Sequence, residues 1–329
     1  MDAQRQGLLG HPLLPLAASV LAGVMIFTAT ADIDWWPLAW LALAPLLWAI
    51  ESAPTRRRAL LYAWTAGIVT NIGGFYWVVG LLERFGQFPW LLAVVGLLLL
   101  AAYQGVVYLL FGLAVRGIRQ VSREKRGRPL PMVLVAPLAL VCFELLVPFI
   151  FPWYLAITQA WQPLVIQVAE LAGPLGVSAV LAVTAGAAYD IATTSGRARV
   201  ISAVSAALVV AFALGFGGLR LSQVRDQRAN APTLQVGVVQ PNVAFNQKGS
   251  QALAVTQLRA LQDKSAELEK AGAELLVWPE SAYPFALPRN GTADFDPSRP
   301  YRIRRGFESP LIFGAITHDT VARDLPPYN

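Results

Sequence analysis

The sequence predicts a polytopic α-helical membrane bundle of about seven spans, followed by part of an α/β domain. Three observations carry this. Hydrophobic residues make up 56% of the 329 positions and charged residues only 14%, where an ordinary soluble chain has about 25% charged. The apolar excess is concentrated in long runs without a single Asp, Glu, Lys or Arg. Beyond Leu219 charges become frequent, and the pattern changes to short Val- and Leu-rich runs separated by an amphipathic stretch.

The charge-free runs are 12–31, 35–50, 59–82, 85–115, 145–169 and 200–219. A helix needs about 20 mostly apolar residues to cross a hydrocarbon core of about 30 Å. Seven spans are therefore expected, at about 13–31, 35–51, 59–82, 88–115, 130–150, 174–194 and 200–219. Residues 151–173 are apolar but broken by Pro152 and Pro163. They read as an interfacial or re-entrant loop, with an eighth span as the alternative. Two domains follow: a multi-span domain over 1–219 and an extramembrane domain over 220–329.

Positive charge sets the expected orientation, because Lys and Arg are retained in short cytoplasmic loops. With a cytoplasmic N-terminus, the inner segments hold Arg5, the Arg56 to Arg58 run, six cations between Arg116 and Arg128, and Arg197 with Arg199. The outer loops hold only Arg84. This places residues after 219 outside, in the arrangement of a bacterial inner-membrane protein with a periplasmic domain. The same topology accounts for the basic runs at 56 and 123, so nucleic acid is not expected as a partner. The first apolar run resembles a signal peptide, but the next follows within a few residues, and a retained helix is expected. One cysteine, Cys142, excludes an intrachain disulfide and reads as a small core residue facing another helix. His11, His318 and Cys142 have no metal-ligand spacing, so neither metal nor cofactor is expected.

Aromatic residues gather at the outer ends of the expected spans, among them Trp35, Phe75, Trp77, Trp90, Phe151, Trp153 and Trp161. An interfacial belt explains such a distribution; a lipid-facing pocket is the sharper reading. Three carboxylates lie within or beside the apolar runs, where ionisable groups are costly. Asp190, near an inner end, reads as structural. Glu170 precedes the sixth span. Glu144 either packs against a polar partner or lines a cavity. Small residues at 66–74 and 172–186 allow close helix approach.

In the C-terminal part, "TLQVGVVQPN" (233–242) reads as a buried strand ended by Pro241 and Asn242. Residues 250–274 place Ala254, Leu258, Leu261 and Leu268 on one helical face, with Gly272 to stop the helix. "ELLVWPES" (274–281) is a second strand and "PLIFGAIT" (310–317) a third. A strand, helix, strand order with this crossover argues for a parallel pair. Parallel sheets place their chemistry beyond the carboxyl ends of the strands, which is where Glu280 stands. There it can serve as a general base; the alternative is a structural Glu that caps a helix or pairs with an Arg. The Arg-rich stretch 298–308 reads as a solvated loop, with anionic lipid contact as the lesser alternative.

"VVQPN" followed some forty residues later by "LLVWPESAYP" resembles the start of the nitrilase or carbon–nitrogen hydrolase domain. Joined to "GGFYWV" (73–78), "FPW" (151–153) and "AGPLGVS" (172–178), the chain as a whole resembles the bacterial apolipoprotein N-acyltransferases. The resemblance implies a C-terminal part that is the N-terminal portion of a nitrilase-like domain. It implies acyl transfer from a membrane phospholipid to the α-amino group of a diacylglyceryl lipoprotein, through a cysteine thioester. It implies Glu280 as general base. Trp77, Trp153, Glu144 and Tyr283 are the secondary candidates for lipid or substrate binding, and a monomer is expected. The catalytic Lys and Cys of the family have no counterpart here: Lys248, Lys264 and Lys270 all precede Glu280, and Cys142 lies in an apolar span. The chain is accordingly expected to be truncated and inactive alone. A membrane-tethered amidase sharing Glu280, or a non-enzymatic membrane or transport protein, are the other classes in play.

Overall fold

The computed structural model describes residues 13–30, 33–244, 247 and 250–318. Arg5, His11, Phe245, Lys248 and the last residues, 319–329, lie outside the described residues. The chain divides into two compact units, 1–229 and 230–329.

The first unit is helical. Its helices are α1 (Leu13–Thr28), α2 (Leu43–Ser52), α3 (Arg56–Gly74), α4 (Val78–Arg84), α5 (Trp90–Gln104), α6 (Val106–Arg126), α7 (Met132–Leu146), α8 (Ala169–Thr193) and α9 (Gly196–Ala229). Short 3-10 turns cover Trp36–Trp40 and Leu155–Gln159, and a single helical turn covers Pro163–Ile166.

The seven-span expectation is overturned. Among the described residues three helices are long and apolar enough to cross a membrane: the continuous Trp90–Arg126 helix formed by α5 and α6, then α8 and α9. A fourth is counted if α3 and α4, bent by 54°, form one span. The expected spans at 13–31, 35–51 and 130–150 correspond to shorter apolar helices. At 1.5 Å per residue, the 16 residues of α1 and the 15 of α7 reach only about 24 and 22 Å, against a core of about 30 Å. The physical reasons lie at the helix ends. Pro148 forces the preceding Val147 out of the helix, at φ −83° and ψ 120°, as a following proline does. Pro37 opens a tight 3-10 turn rather than a long helix. Thr30 caps its own chain by donating to the Phe27 carbonyl, and the backbone then reverses through Asp34 at φ 56°. Residues 151–173 contain no long helix, as the loop reading expects. α8 itself breaks at Ala172 and Gly173, before Pro174 restarts it.

α1, α2, α3, α6, α7 and α8 share one apolar core, centred on Ile26, Leu46, Ile50, Phe111, Leu140 and Leu181. Glycine permits the closest approaches. A Cβ on Gly67 of α3 would lie 2.7 Å from the Gly105 backbone between α5 and α6, and one on Gly217 of α9 would lie 1.9 Å from the Leu164 carbonyl oxygen.

The unit has two chemically distinct ends. At one, Arg116 donates to the Ile50 and Ala53 carbonyls, Arg119 and Arg123 face Glu51, and Arg119 also donates to the Leu130 carbonyl. There too, Asp190 of α8 accepts from the Met132 and Val133 amides and the Ser202 hydroxyl. Asp190 therefore caps α7 and ties it to α9, a structural role. At the other end of α3, Phe75 stacks on Phe151 and packs at a tilt against Trp153, while Trp77 meets Phe75 at a tilt and Phe151 edge-on. Glu170 pairs with Arg220 where α9 passes the start of α8.

The second unit is a mixed α/β region without a closed sheet. β1 (Val236–Val238), β2 (Leu275–Val277) and β4 (Leu311–Ile312) form a parallel sheet in the order β1-β2-β4. Val236 is opposite Leu275, and Leu276 opposite Leu311. β3 (Leu287–Pro288) pairs with β5 (Thr317–His318) in a separate parallel ladder. The third expected strand thus divides after Ile312, its ends serving two sheets. α10 (Gln251–Lys270) covers one sheet face with Ala254, Leu258 and Leu261, and stops at Gly272, whose φ is 99°. Leu276, Trp278, Tyr283 and Phe307 complete this core.

Candidate active site

β1 and β2 end alike. Each runs into a proline and then a residue in the left-handed region: Asn242 at φ 50° after Pro241, and Ser281 at φ 51° two residues after Pro279. Asn tolerates this conformation; Ser does so only at a cost of about 1 kcal/mol or more, a kind of strain that clusters at functional positions. The two turns diverge and leave a cavity of about 230 Å³ at the carboxyl edge of the sheet, lined by Gln240, Asn242, Gln257, Leu261, Glu280 and Ser281 among others. Across from it, Gly314 comes so close that a Cβ there would lie 3.2 Å from the Glu280 Cα.

Glu280 therefore stands at the lip of this cavity. It is exposed, and among the described residues its carboxylate makes no hydrogen bond or ion pair. What holds the lip is elsewhere: the Trp278 indole donates to the Ser265 hydroxyl at 2.8 Å, pinning the end of β2 to α10. The Ser265 hydroxyl in turn donates to the Leu261 carbonyl. Tyr283 is buried in the core of the unit, and its hydroxyl donates to the Tyr301 carbonyl. It supports the turn rather than lining the cavity. The loop 298–308 is organised by Asp294, which accepts from the Ile303 and Arg304 amides.

The remaining candidates lie in the first unit and come together around residues 149–159. Glu144 is buried, and one carboxylate oxygen accepts from the Leu155 amide at 2.7 Å. Trp153 is buried against Phe75, and among the described residues its indole nitrogen has no hydrogen-bond partner. Trp77 is exposed and lines an open groove of about 460 Å³ with Tyr76, Leu81 and Arg84. A second, more apolar groove of about 220 Å³ lies between Tyr154, Ile157, Ile166 and Val177. The aromatic residues thus divide: Phe75 and Trp153 form a packed cluster, whereas Trp35, Trp90 and Trp161 are exposed as an interfacial belt requires.

Cys142 corrects the sequence reading. It is exposed, not a core residue, because two helical positions rotate about 200° and Glu144 occupies the inward face. Sequence reasoning also missed the amides that hold the 149–159 loop. Asn71 accepts from Gln104, whose carbonyl oxygen accepts from the Phe151 amide, and Gln159 accepts from the Trp40 indole. Their signal was present: polar amides inside charge-free runs need partners. Among the described residues no group of three or more His, Cys, Asp or Glu is placed to hold a metal ion.

The fold and site define a class: a multi-pass membrane protein whose helical unit precedes an α/β unit with a carboxylate at its strand ends. Comparison with known proteins narrows it. Residues 22–187 match the family model of the apolipoprotein N-acyltransferase N-terminal domain, and the chain belongs to that family. An apolipoprotein N-acyltransferase of Geobacter metallireducens is 29% identical over 281 residues, covering 81% of this chain and 51% of the relative. One of Brucella melitensis is 32% identical over 291 residues, covering 82% and 52%, and one of Haemophilus ducreyi 27% identical over 276 residues, covering 83% and 51%. The chain spans about half the length of the curated relatives it matches.

Proposed function

We propose that this chain contributes the membrane unit and the general base of an apolipoprotein N-acyltransferase. The observation that carries the reading is Glu280, exposed and unpaired among the described residues, at a cavity on the carboxyl edge of a parallel sheet, in a member of that family. In the proposed chemistry a thiolate attacks the ester carbonyl of a phospholipid, the lysophospholipid alcohol leaves, and a thioester forms. The α-amine of a diacylglyceryl-cysteine then attacks the thioester, giving the amide and returning the thiol. Glu280 takes the proton from the thiol and passes it to the leaving alcohol. In the second step it takes the amine proton and returns it to the departing thiolate. The reading assigns the thiol and the oxyanion-stabilising lysine no residue here, since Cys142 is the single cysteine and Lys264 and Lys270 are on α10. The α/β unit is read as the opening part of a nitrilase-like domain.

The same reading makes the basic end of the helical unit cytoplasmic, because Lys and Arg are held on that side. α9 starts at that end and finishes beside Glu170 at the aromatic end, so the chain after Ala229 emerges on the periplasmic side of the inner membrane. The Trp77 groove then admits the acyl-donor phospholipid and the diacylglyceryl chains of the acceptor. A chimera tests the proposal: this chain continued by the C-terminal half of the Geobacter relative, expressed in a bacterium depleted of its own N-acyltransferase. Lipoprotein N-termini that gain an acyl chain by mass spectrometry support it; a chimera that inserts in the membrane yet leaves free α-amines contradicts it.

A further inference from the structure

The acyl-transfer reading uses the aromatic end of the helical unit and leaves the basic end without a role beyond orientation. That end carries a groove of about 410 Å³ along the last turns of α6, with Gly117, Ile118, Val121 and Leu130 as its apolar floor and Lys125 and Arg126 at its margin. Ile118 and Val121 are exposed at 39% and 47%, so this floor is open rather than sealed by another helix. Gly117 adds an independent observation. A glycine inside a helix costs about 1 kcal/mol relative to alanine, and it is normally retained where a neighbour comes close. Here a Cβ would meet nothing within 4 Å. The missing side chain leaves space in the groove and relieves no contact.

The charges around the groove are one-sided. Arg119 and Arg123 are engaged with Glu51, and the Glu124 carboxylate accepts from Gln120 at 3.0 Å. Lys125 and Arg126 have no ion pair among the described residues. Two cations beside an apolar trough, at the basic end of a membrane unit, match a ligand with an anionic phosphate head and a hydrocarbon tail. We propose that this groove binds an anionic glycerophospholipid of the leaflet at the basic end. Its phosphate sits between Lys125 and Arg126 and an acyl chain lies over Gly117, Ile118 and Val121. The bound lipid is distinct from the acyl donor.

Native mass spectrometry of the 329-residue protein, titrated in detergent with phosphatidylglycerol or phosphatidylcholine of matched chains, tests this. Wild type is expected to bind phosphatidylglycerol at least about 10-fold more tightly than phosphatidylcholine. The Lys125→Gln, Arg126→Gln double variant is expected to lose about 30-fold in phosphatidylglycerol affinity, the effect of two interfacial cations. Gly117→Phe fills the trough in a helix-compatible way and is expected to weaken both lipids, with an unchanged circular dichroism spectrum. Arg57→Gln with Arg58→Gln, two cations at the same end but outside the groove, is expected to leave binding within about threefold. Equal binding of the two lipids by wild type, a double variant within threefold of wild type, or an equal loss in the Arg57 and Arg58 variant overturns the proposal.

Discussion

Replacing Asp190 by alanine tests how the helical unit is held together. The Asp190 side chain accepts from the Met132 and Val133 amides at 3.0 Å each and from the Ser202 hydroxyl at 2.9 Å, and the residue is 2% exposed. The two amides are first-turn donors of α7, whose N-cap residue, Pro131, has no side chain to cap them. The Ser202 hydroxyl can turn to another acceptor. The amides cannot, and each buried donor left unsatisfied costs about 1–3 kcal/mol. The sum is roughly 2–6 kcal/mol, which predicts that amide exchange in the 130–136 region speeds up by roughly 30- to 20,000-fold. Asp190→Asn keeps one acceptor oxygen and is expected to lose about half of that free energy. Hydrogen exchange read by mass spectrometry in detergent measures both variants. Acceleration below about threefold in Asp190→Ala, or equal effects of the two substitutions, would refute the capping argument.

Other expectations are as direct. Gly217→Val places a Cβ within 1.9 Å of the Leu164 carbonyl oxygen and is expected to destabilise the α9 contact by about 1–3 kcal/mol or more, read as faster proteolysis near residues 160–168. Glu269 is held below its ordinary carboxylate pKa by the Ser309 hydroxyl, then by the Glu308 and Ser309 amides. A depressed carboxylate adds stability above its unfolded pKa and loses it as the pH falls through the folded one. The Ser309 amide protection factor, exchange corrected for its intrinsic pH dependence, should therefore fall in acid, and Glu269→Gln should abolish that dependence. The purified 329-residue protein is expected to form no acyl-enzyme and to acylate no lipopeptide, with Cys142→Ser unchanged; turnover that Cys142→Ser removes would contradict this.

Local chemistry was the most legible part of the sequence. The α10 face was readable because Ala254, Leu258 and Leu261 repeat at helical spacing with nothing to compete. The parallel pairing of β1 and β2 followed from the length of that crossover. The position of Glu280 at a strand end was readable too, since Pro279 must end the ladder. The span count failed where hydropathy and helix length part company. A run without charges need not be a run of helix: Pro37 and Pro148 turn the backbone inside such runs and Thr30 sits in the reversal that follows α1. Cys142 was misplaced for a related reason, since an apolar helix gives little hint of phase until one polar residue, here Glu144, is known to face inward. The cavity beside Glu280 depends on two left-handed turns, at Asn242 and Ser281, coming together at the ends of separate strands, and such convergence has no one-dimensional signature.

The central claim is that Glu280 acts in chemistry and not in holding the fold, and one measurement separates these. In the chimera with the Geobacter C-terminal half, Glu280→Gln and the parent are compared for acyl transfer from phospholipid to a diacylglyceryl-cysteine peptide, alongside thermal unfolding. Glu280 is exposed and unpaired among the described residues, so stability should stay within about 0.5 kcal/mol. Loss of a general base should lower the rate by about 100-fold or more. A rate within threefold of the parent, or a loss matched by unfolding, would contradict the assignment.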